Sequence, residues 1–575
     1  MNVMRSPSQI LIAGGVFVAI YAVIGFRLVQ FGLAEMPLHA AVAPPPSVAR
    51  PDIFDRNGNL LAMDLPVSSV YAEPHSIVDI DEAVEKLTAV LPDLDAADLY
   101  RDLSSDRGFT WIKRTISARE RQEIWSLGIP SVDFRDETRR LYPNGATAAH
   151  VLGLVDVDNK GIAGIERWID RQGLQDLKDI GVQFSRDDLA PVALSVDLRV
   201  QHALEDELGK AIAKFSAIAG AGLVMDVTNG EVIALASLPD FDPNNPADAH
   251  RPEHINRINV GVYEMGSTFK ALTTAMALNS GRFNIHSVLD ASHPLQFGRF
   301  KIRDFRGENR PLNVPEAFIH SSNIGMARMA MEVGIEGHKG FLDRFGQLDR
   351  LTTELPESAS PIVPANWAML NTATISFGHG LAVTSLQASM GIAALVNGGT
   401  LIRPTFVKDA PLAERVIRQD LVTPQTGEAL RFMMRLNAEI GSARKADVPG
   451  YFMGGKTGTA EKVVNGRYAT DRVLTSFMGI VPAHKPRYLF LVMLDEPKAL
   501  PETHGFRTSG WNAVPVAGKI IERIMPILGV APARIPPIDP FPAMSELRAF
   551  GSSRFQERPQ PDSLVPIEAS WRTRQ

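Results

Sequence analysis

Tyr263-Glu264-Met265-Gly266-Ser267-Thr268-Phe269-Lys270 stands at the head of an apolar run, FKALTTAMALNSG, whose spacing is helical. A serine at a helix start displays its hydroxyl, and the residue three positions on lies on the same face one turn away. That spacing puts Lys270 within reach of Ser267. A serine hydroxyl is a weak nucleophile until a base takes its proton. Lysine becomes such a base when burial or neighbouring cations lower its pKa, and a helix N-terminus favours negative charge developing beside it.

Working outward, this helix lies between two groups of strand candidates. Upstream, PVALSVD from Pro191 reads as a strand and LRVQHALEDELGKAIAKF from Leu198 as an amphipathic helix. AGLVMDV, a turn at Thr228-Asn229-Gly230, and EVIALAS then read as a β-hairpin. Downstream, SFMGIV and RYLFLVMLDEP read as strands, with a further helical run, SLQASMGIAALVNGG, lying between the two groups. Strands at both ends with helices between them predict one mixed α/β unit whose sheet is completed by distant segments.

Two further short motifs follow the serine. Ser321-Ser322-Asn323 precedes the helical run IGMARMAM and suits a helix cap, which would hold its side chains at a fixed, exposed position. Lys456-Thr457-Gly458-Thr459 is the one K-[ST]-G in the chain. It follows Gly454-Gly455, a pattern suited to a strand edge that a ligand backbone approaches closely. A second S-x-x-K, Ser442-Ala443-Arg444-Lys445, sits in a polar stretch with no apolar helix behind it and is set aside. S-x-x-K alone occurs by chance about once in a chain of this size. The ordered trio of serine-lysine, S-x-N and K-T-G is the set shared by penicillin-binding proteins and class A β-lactamases.

The rest of the chain bounds the reading. A length of 575 residues requires two or three domains, and 45% hydrophobic with 22% charged residues is ordinary globular composition. A net charge of −6 gives no basic excess for a nucleic-acid partner, and zero cysteines exclude disulfides and thiol nucleophiles. No metal or other cofactor is implied, since no H-E-x-x-H or comparable ligand cluster is present. Ile10–Leu33 carries Arg27 as its one charge. About 20 apolar residues span a bilayer, so 1–33 is read as a short cytoplasmic tail and an uncleaved transmembrane anchor. A linker with Pro44, Pro45 and Pro46 covers 34–50, a first folded domain 51–189, a second 190–530, and a Pro-rich tail 531–575. Short helices are expected over 81–130, where Ala83, Leu87, Val90 and Leu91 keep helical spacing.

The sequence resembles class B penicillin-binding proteins well beyond the trio. Residues 263–270 are similar to the family's YEPGSTFK, with Met265 in place of proline. Arg140-Leu141-Tyr142-Pro143, His150-Val151-Leu152-Gly153 and Gly161-Ile162-Ala163-Gly164-Ile165-Glu166 resemble its non-catalytic pedestal motifs. Phe241-Asp242-Pro243-Asn244 and Ser376-Phe377-Gly378-His379-Gly380 also match. Arg50 to Gly58 resembles the opening motif, with Pro51 where glycine is usual. The similarity covers residues 10–530. The K-T-G-T-A-x-K form at 456–462 and Thr508-Ser509-Gly510-Trp511-Asn512-Ala513-Val514-Pro515 lean toward the division (FtsI-like) branch over the elongation branch.

The resemblance implies an elongated α+β pedestal of the dimerisation type and a penicilloyl-serine transpeptidase domain, mainly an antiparallel sheet flanked by helices. It implies Ser267 as nucleophile, Lys270 as base, Ser321 as proton relay and Asn323 as a ligand of the donor peptide. Lys456 and the strand residues Thr457, Gly458 and Thr459 would meet the substrate carboxylate, with the backbone N–H groups of Ser267 and Thr459 as oxyanion hole. Donor stem pentapeptides ending in D-Ala-D-Ala, an acceptor amine and β-lactams are the implied ligands. The septal glycan polymerase and other divisome membrane proteins are the implied partners, and the periplasmic face of the inner membrane the implied location. A non-catalytic divisome scaffold is the alternative of a different kind, against which the intact trio speaks. Arg140, Tyr142, His150 and Glu166 are expected in a buried polar network between lobes rather than in catalysis.

Overall fold

The computed structural model describes residues 18–25, 49–174, 189–464, 467–533 and 541. The chain divides into two compact units, one holding Leu65–Arg139 and the other holding Val48–Asp64 and the residues from Arg140 onward. Most of the expected anchor, the linker and the tail lie outside the described residues. Residues 18–25 are helical and exposed, and among the described residues no helix is long and apolar enough to cross a membrane.

β1 (Ile53–Phe54), in the larger unit, pairs antiparallel with the first residues of β2 (Leu60–Ala72) around the turn at Asp55-Arg56-Asn57-Gly58. The smaller unit continues through α1 (Ile80–Val90), α2 (Ala96–Leu103), β3 (Thr110–Ile116), α3 (Ala118–Leu127) and β4 (Val132–Leu141). Each helix is opened by a side-chain cap, from Asp79, Asp95 and Ser117 in turn. Three of the short helices expected over 81–130 are present. They are interrupted by β3, which the 3.6-residue reading did not separate, and which pairs with β2 at Tyr71 and Trp111. Leu87, Leu91, Leu99, Ile112 and Ile124 form this unit's core with Val70.

The larger unit is organised by a five-stranded sheet. After β5 (Val192–Ala193) come α4 (Leu198–Phe215), β6 (Ala219–Asp226) and β7 (Val232–Leu238). The helices α5 (Lys270–Asn279), α6 (Asn323–Val333), α7 (Ser385–Val396) and α8 (Pro424–Ile440) follow. Then come β8 (Gly454–Val464), β9 (Arg467–Val481), β10 (Tyr488–Asp495) and α9 (Ala513–Ile527). The sheet order is β8-β9-β10-β6-β7, every neighbour antiparallel, and Tyr488 of β10 pairs with Asp226 of β6. The expected closure of the sheet by distant segments is what is found.

The run Tyr488–Asp495 is apolar almost throughout because both faces of the sheet are covered. Side chains alternate across a strand. Phe490, Val492 and Leu494 therefore pack with Leu204, Leu208 and Phe215 of α4 and Ile520 and Ile524 of α9. Leu489, Leu491 and Met493 point the other way, into a core with Leu272 and Met276 of α5, Leu395 of α7 and Met433 of α8. Each such side chain contributes about 1.5–3 kcal/mol on burial. Gly222 lets α4 close on the sheet, since a Cβ there would lie 2.7 Å from Leu204 Cδ1. PVALSVD is a strand only at Val192–Ala193. Beyond it Ser195 Oγ donates to the Val232 carbonyl, and Asp197 is spent on capping α4.

Arg140 and Glu166 are buried, as expected, but inside the larger unit rather than between lobes. Arg140 donates to Glu166 at 2.7 Å and to Asp64 at 3.1 Å, while Arg50 donates to Glu166 at 2.8 Å and to Asp170 at 2.7 Å. Burial pushes the Glu166 carboxyl up, and the two guanidiniums outweigh it, holding the group below its usual range. Tyr142 is buried beside this cluster. His150 is not part of it. Its ring stands edge-on to Phe241 at 5.2 Å, and burial lowers its pKa to about 4.

Candidate active site

Ser267 sits in a 3-10 turn, Gly266–Phe269, and α5 begins only at Lys270. The turn is fixed by close backbone approach. Gly266 has φ +53°, and a Cβ on Gly378 would fall 2.0 Å from the Gly266 carbonyl oxygen. On the opposite side a Cβ on Gly266 would meet the Thr459 carbonyl oxygen at 3.0 Å, and one on Gly458 would meet the Met265 carbonyl oxygen at 3.0 Å. The serine turn and the K-T-G strand are thus packed backbone to backbone. β8, which carries Lys456 to Thr459, is an edge strand of the sheet.

Ser321 joins the three motifs. Its Oγ donates to Ser267 Oγ at 3.0 Å and accepts from Lys270 Nζ at 2.9 Å and from Lys456 Nζ at 3.0 Å. Lys270 also donates to Asn323 Oδ1 at 2.8 Å and to the Ser321 carbonyl. The link from Lys270 to Ser267 therefore runs through Ser321, not along the helix face that the spacing predicts. Ser321 has φ +57°, a left-handed conformation uncommon for a residue with a Cβ. That backbone turns its hydroxyl in among the two lysines and Ser267. Ser322 supplies the cap expected of S-x-N, accepting from the Gly325 N–H at the start of α6.

Both lysines are fully buried. Burial, with the charge of Lys456 second, lowers the Lys270 pKa well below the ordinary lysine value. Burial alone pushes Lys456 down to about 7. A lysine that is partly neutral near pH 7 is equipped to accept a proton. The arrangement offers a displayed hydroxyl, a proton path to an amine, and a strand edge for an extended peptide.

Several contacts around the site carried no signal in the sequence. Asp304 accepts from Ser322 Oγ at 2.7 Å and from the Ile324 N–H at 2.9 Å, fixing the S-x-N turn. Glu264 accepts from Tyr468 Oη at 3.0 Å and from the Gly380 N–H at 2.7 Å, tying the residues before Ser267 to β9. Ser509 donates its N–H to Thr459 Oγ1 at 3.2 Å. Ser442, set aside on sequence grounds, lies against the site after all, its Oγ 2.8 Å from Thr457 Oγ1. Its partner in the motif, Lys445, turns away onto the Trp511 ring. Among the described residues no group of His, Asp and Glu is arranged to hold a metal ion.

Residues 220–522 match the penicillin binding protein transpeptidase domain, and residues 45–181 match the penicillin-binding protein dimerisation domain. The chain is 39% identical over 491 residues to a probable peptidoglycan D,D-transpeptidase FtsI of Caulobacter vibrioides, covering 84% of this chain and 82% of that protein. It is 29% identical to the peptidoglycan D,D-transpeptidase FtsI of Escherichia coli, over 84% of this chain and 85% of that one. A peptidoglycan synthetase from Bifidobacterium adolescentis shares the fold, with a TM-score of 0.65 at 23% identity, over 86% of this chain and 98% of that chain. With both domains matched in order and such a relative along most of its length, the chain belongs to the class B, FtsI-like penicillin-binding proteins.

Proposed function

We propose that Ser267 is the acylated nucleophile of this peptidoglycan D,D-transpeptidase, and that the protein cross-links stem peptides in septal wall synthesis. The observation that carries the site assignment is the convergence on Ser321 Oγ of the Ser267 hydroxyl and the Nζ atoms of Lys270 and Lys456. Ser267 Oγ attacks the carbonyl of the penultimate D-alanine while its proton passes through Ser321 to neutral Lys270. The backbone N–H groups of Ser267 and Thr459 hold the oxyanion. The C–N bond to the terminal D-alanine breaks, and that amine leaves with the proton returned along the same path. Asn323 holds the donor backbone, and Lys456, Thr457, Gly458 and Thr459 receive the terminal carboxylate. An acceptor amine then attacks the acyl-enzyme, restoring the serine and closing the cross-link. A β-lactam, which mimics the D-Ala-D-Ala end, stops at the acyl stage. Labelled benzylpenicillin is expected to add once, on the peptide containing Ser267, as read by mass spectrometry. Ser442→Ala should keep that adduct on Ser267, and an adduct elsewhere overturns the assignment.

The division role and the partners rest on the FtsI relatives. The expected partners are the septal glycan polymerase and other divisome membrane proteins, met through the membrane segment and the pedestal. The apolar run Ile10–Leu33 supports an uncleaved inner-membrane anchor with the catalytic unit in the periplasm. Protein isolated from membranes is expected to retain this run. A mature N-terminus near Pro44 would refute the anchor.

A further inference from the structure

The segment Arg299–Arg310 runs beside the S-x-N motif and is held there by it. Asp304 bonds Ser322 and Ile324, and Asn323 Nδ2 donates to the Arg303 carbonyl at 2.9 Å. The segment is rich in cations. Arg310 is paired with Glu316, but among the described residues Arg299, Lys301, Arg303 and Arg306 form no salt bridge. The segment Thr503–Asn512 is held to the K-T-G strand. Ser509 N–H donates to Thr459 Oγ1 and Ser509 Oγ donates to the Ser476 carbonyl. The two segments meet where the Arg306 guanidinium lies over the Phe506 ring, 4.8 Å from its centroid. Phe506 is stacked in turn on Trp511, at 5.7 Å and 21°.

We propose that Arg306 is a specificity-determining residue for the donor strand. It reads a free carboxylate on the residue just ahead of the D-Ala-D-Ala end, as a diaminopimelate residue carries. The chemistry follows from placement. The terminal carboxylate belongs to the K-T-G strand, and Asn323 holds the donor backbone, so the next residue of the donor emerges past the S-x-N turn. The segment anchored to that turn presents a guanidinium with no carboxylate partner among the described residues, steadied from one side by an aromatic face. A planar fork of N–H donors so fixed is matched to a carboxylate and not to a neutral amide. This inference rests on the acyl-transfer reading of Ser267.

The test uses two donor peptides that differ only in bearing a carboxylate or a carboxamide on the residue ahead of D-Ala-D-Ala. The reading is the concentration of each that half-protects Ser267 from labelled benzylpenicillin. The wild-type protein is expected to favour the carboxylate by about tenfold, the effect of one hydrogen bond to a charged group, and added salt should shrink that preference. Arg306→Gln should abolish the preference, and Arg306→Lys should restore part of it. Acylation by benzylpenicillin without peptide should stay within about twofold in both variants, since the drug carries only the terminal-type carboxylate. An equal response to the two peptides in the wild type, or an unchanged preference in Arg306→Gln, overturns the proposal. So does a folded Arg306→Gln protein that loses penicillin acylation, for the residue would then act on the site as a whole. Failure of the wild type to acylate at Ser267 contradicts the reaction itself, a separate result.

Discussion

Ser267→Ala is expected to abolish the benzylpenicillin adduct, and Lys270→Ala to slow its formation by about 10²–10⁴-fold, the usual contribution of a general base. The proposed role of Lys270 as base follows from its place at the end of the path from Ser267 through Ser321. Its pH signature follows from its environment. Lys270 must be neutral to accept a proton, and burial together with Lys456 lowers its pKa well below 10.5. Acylation should therefore rise with pH through that lowered value and level off before the ordinary lysine range. Lys456→Met removes a positive neighbour, eases protonation of Lys270, and should move the rising limb to higher pH. Stopped-flow acylation across pH checks both points. A Lys270→Ala protein acylated at the wild-type rate, or a limb centred on 10.5, would remove Lys270 from the mechanism.

The second large effect is on stability. Arg140→Ala leaves Asp64 and Glu166 buried with fewer cationic partners. Breaking a buried ion pair from one side costs about 3–5 kcal/mol, which for a unit of several hundred residues lowers the melting temperature by roughly 4–6 °C. The bonds of Arg140 run to Glu166, Asp64 and the Pro51 carbonyl, away from the serine. The folded fraction should accordingly be acylated by benzylpenicillin at near the wild-type rate. An unchanged melting curve would show that the cluster is relaxed or hydrated. A fully folded variant without acylation would show that this network reaches the active site.

What the sequence made legible was local or strongly patterned. α4 occupies the residues its apolar spacing marks, because one amphipathic period and the Asp197 cap decide it. The strands of the sheet could be read because a sheet covered on both faces needs unbroken apolar runs. Ser267, Lys270, Ser321, Asn323 and Lys456 could be read as three motifs in order, although the spacing suggested a direct Ser267–Lys270 contact that the fold routes through Ser321. The illegible part is what depends on partners remote in the chain. Tyr468 meets Glu264 across 204 positions, and nothing near either residue announces the pair. Ser442 was discounted for its polar surroundings, whereas its position is decided by the strand carrying Thr457. The left-handed backbone of Ser321 could not be foreseen either, since it answers to a contact geometry that exists only in the assembled site.

The order of strands in the sheet also bears on when this protein becomes an enzyme. β6 is made before Ser267 and must wait for β10, its neighbour, while the strand bearing Lys456 reaches β6 only through β9 and β10. Chain emerging from a ribosome or a secretion channel can build helices early, but pairings this remote form last. Ser267, Lys270 and the strand edge opposite them therefore remain separate pieces for most of biosynthesis. Reactivity toward D-Ala-D-Ala ends, and equally toward an antibiotic, arrives in one step near completion of the chain, so a stalled or prematurely terminated product is born without it.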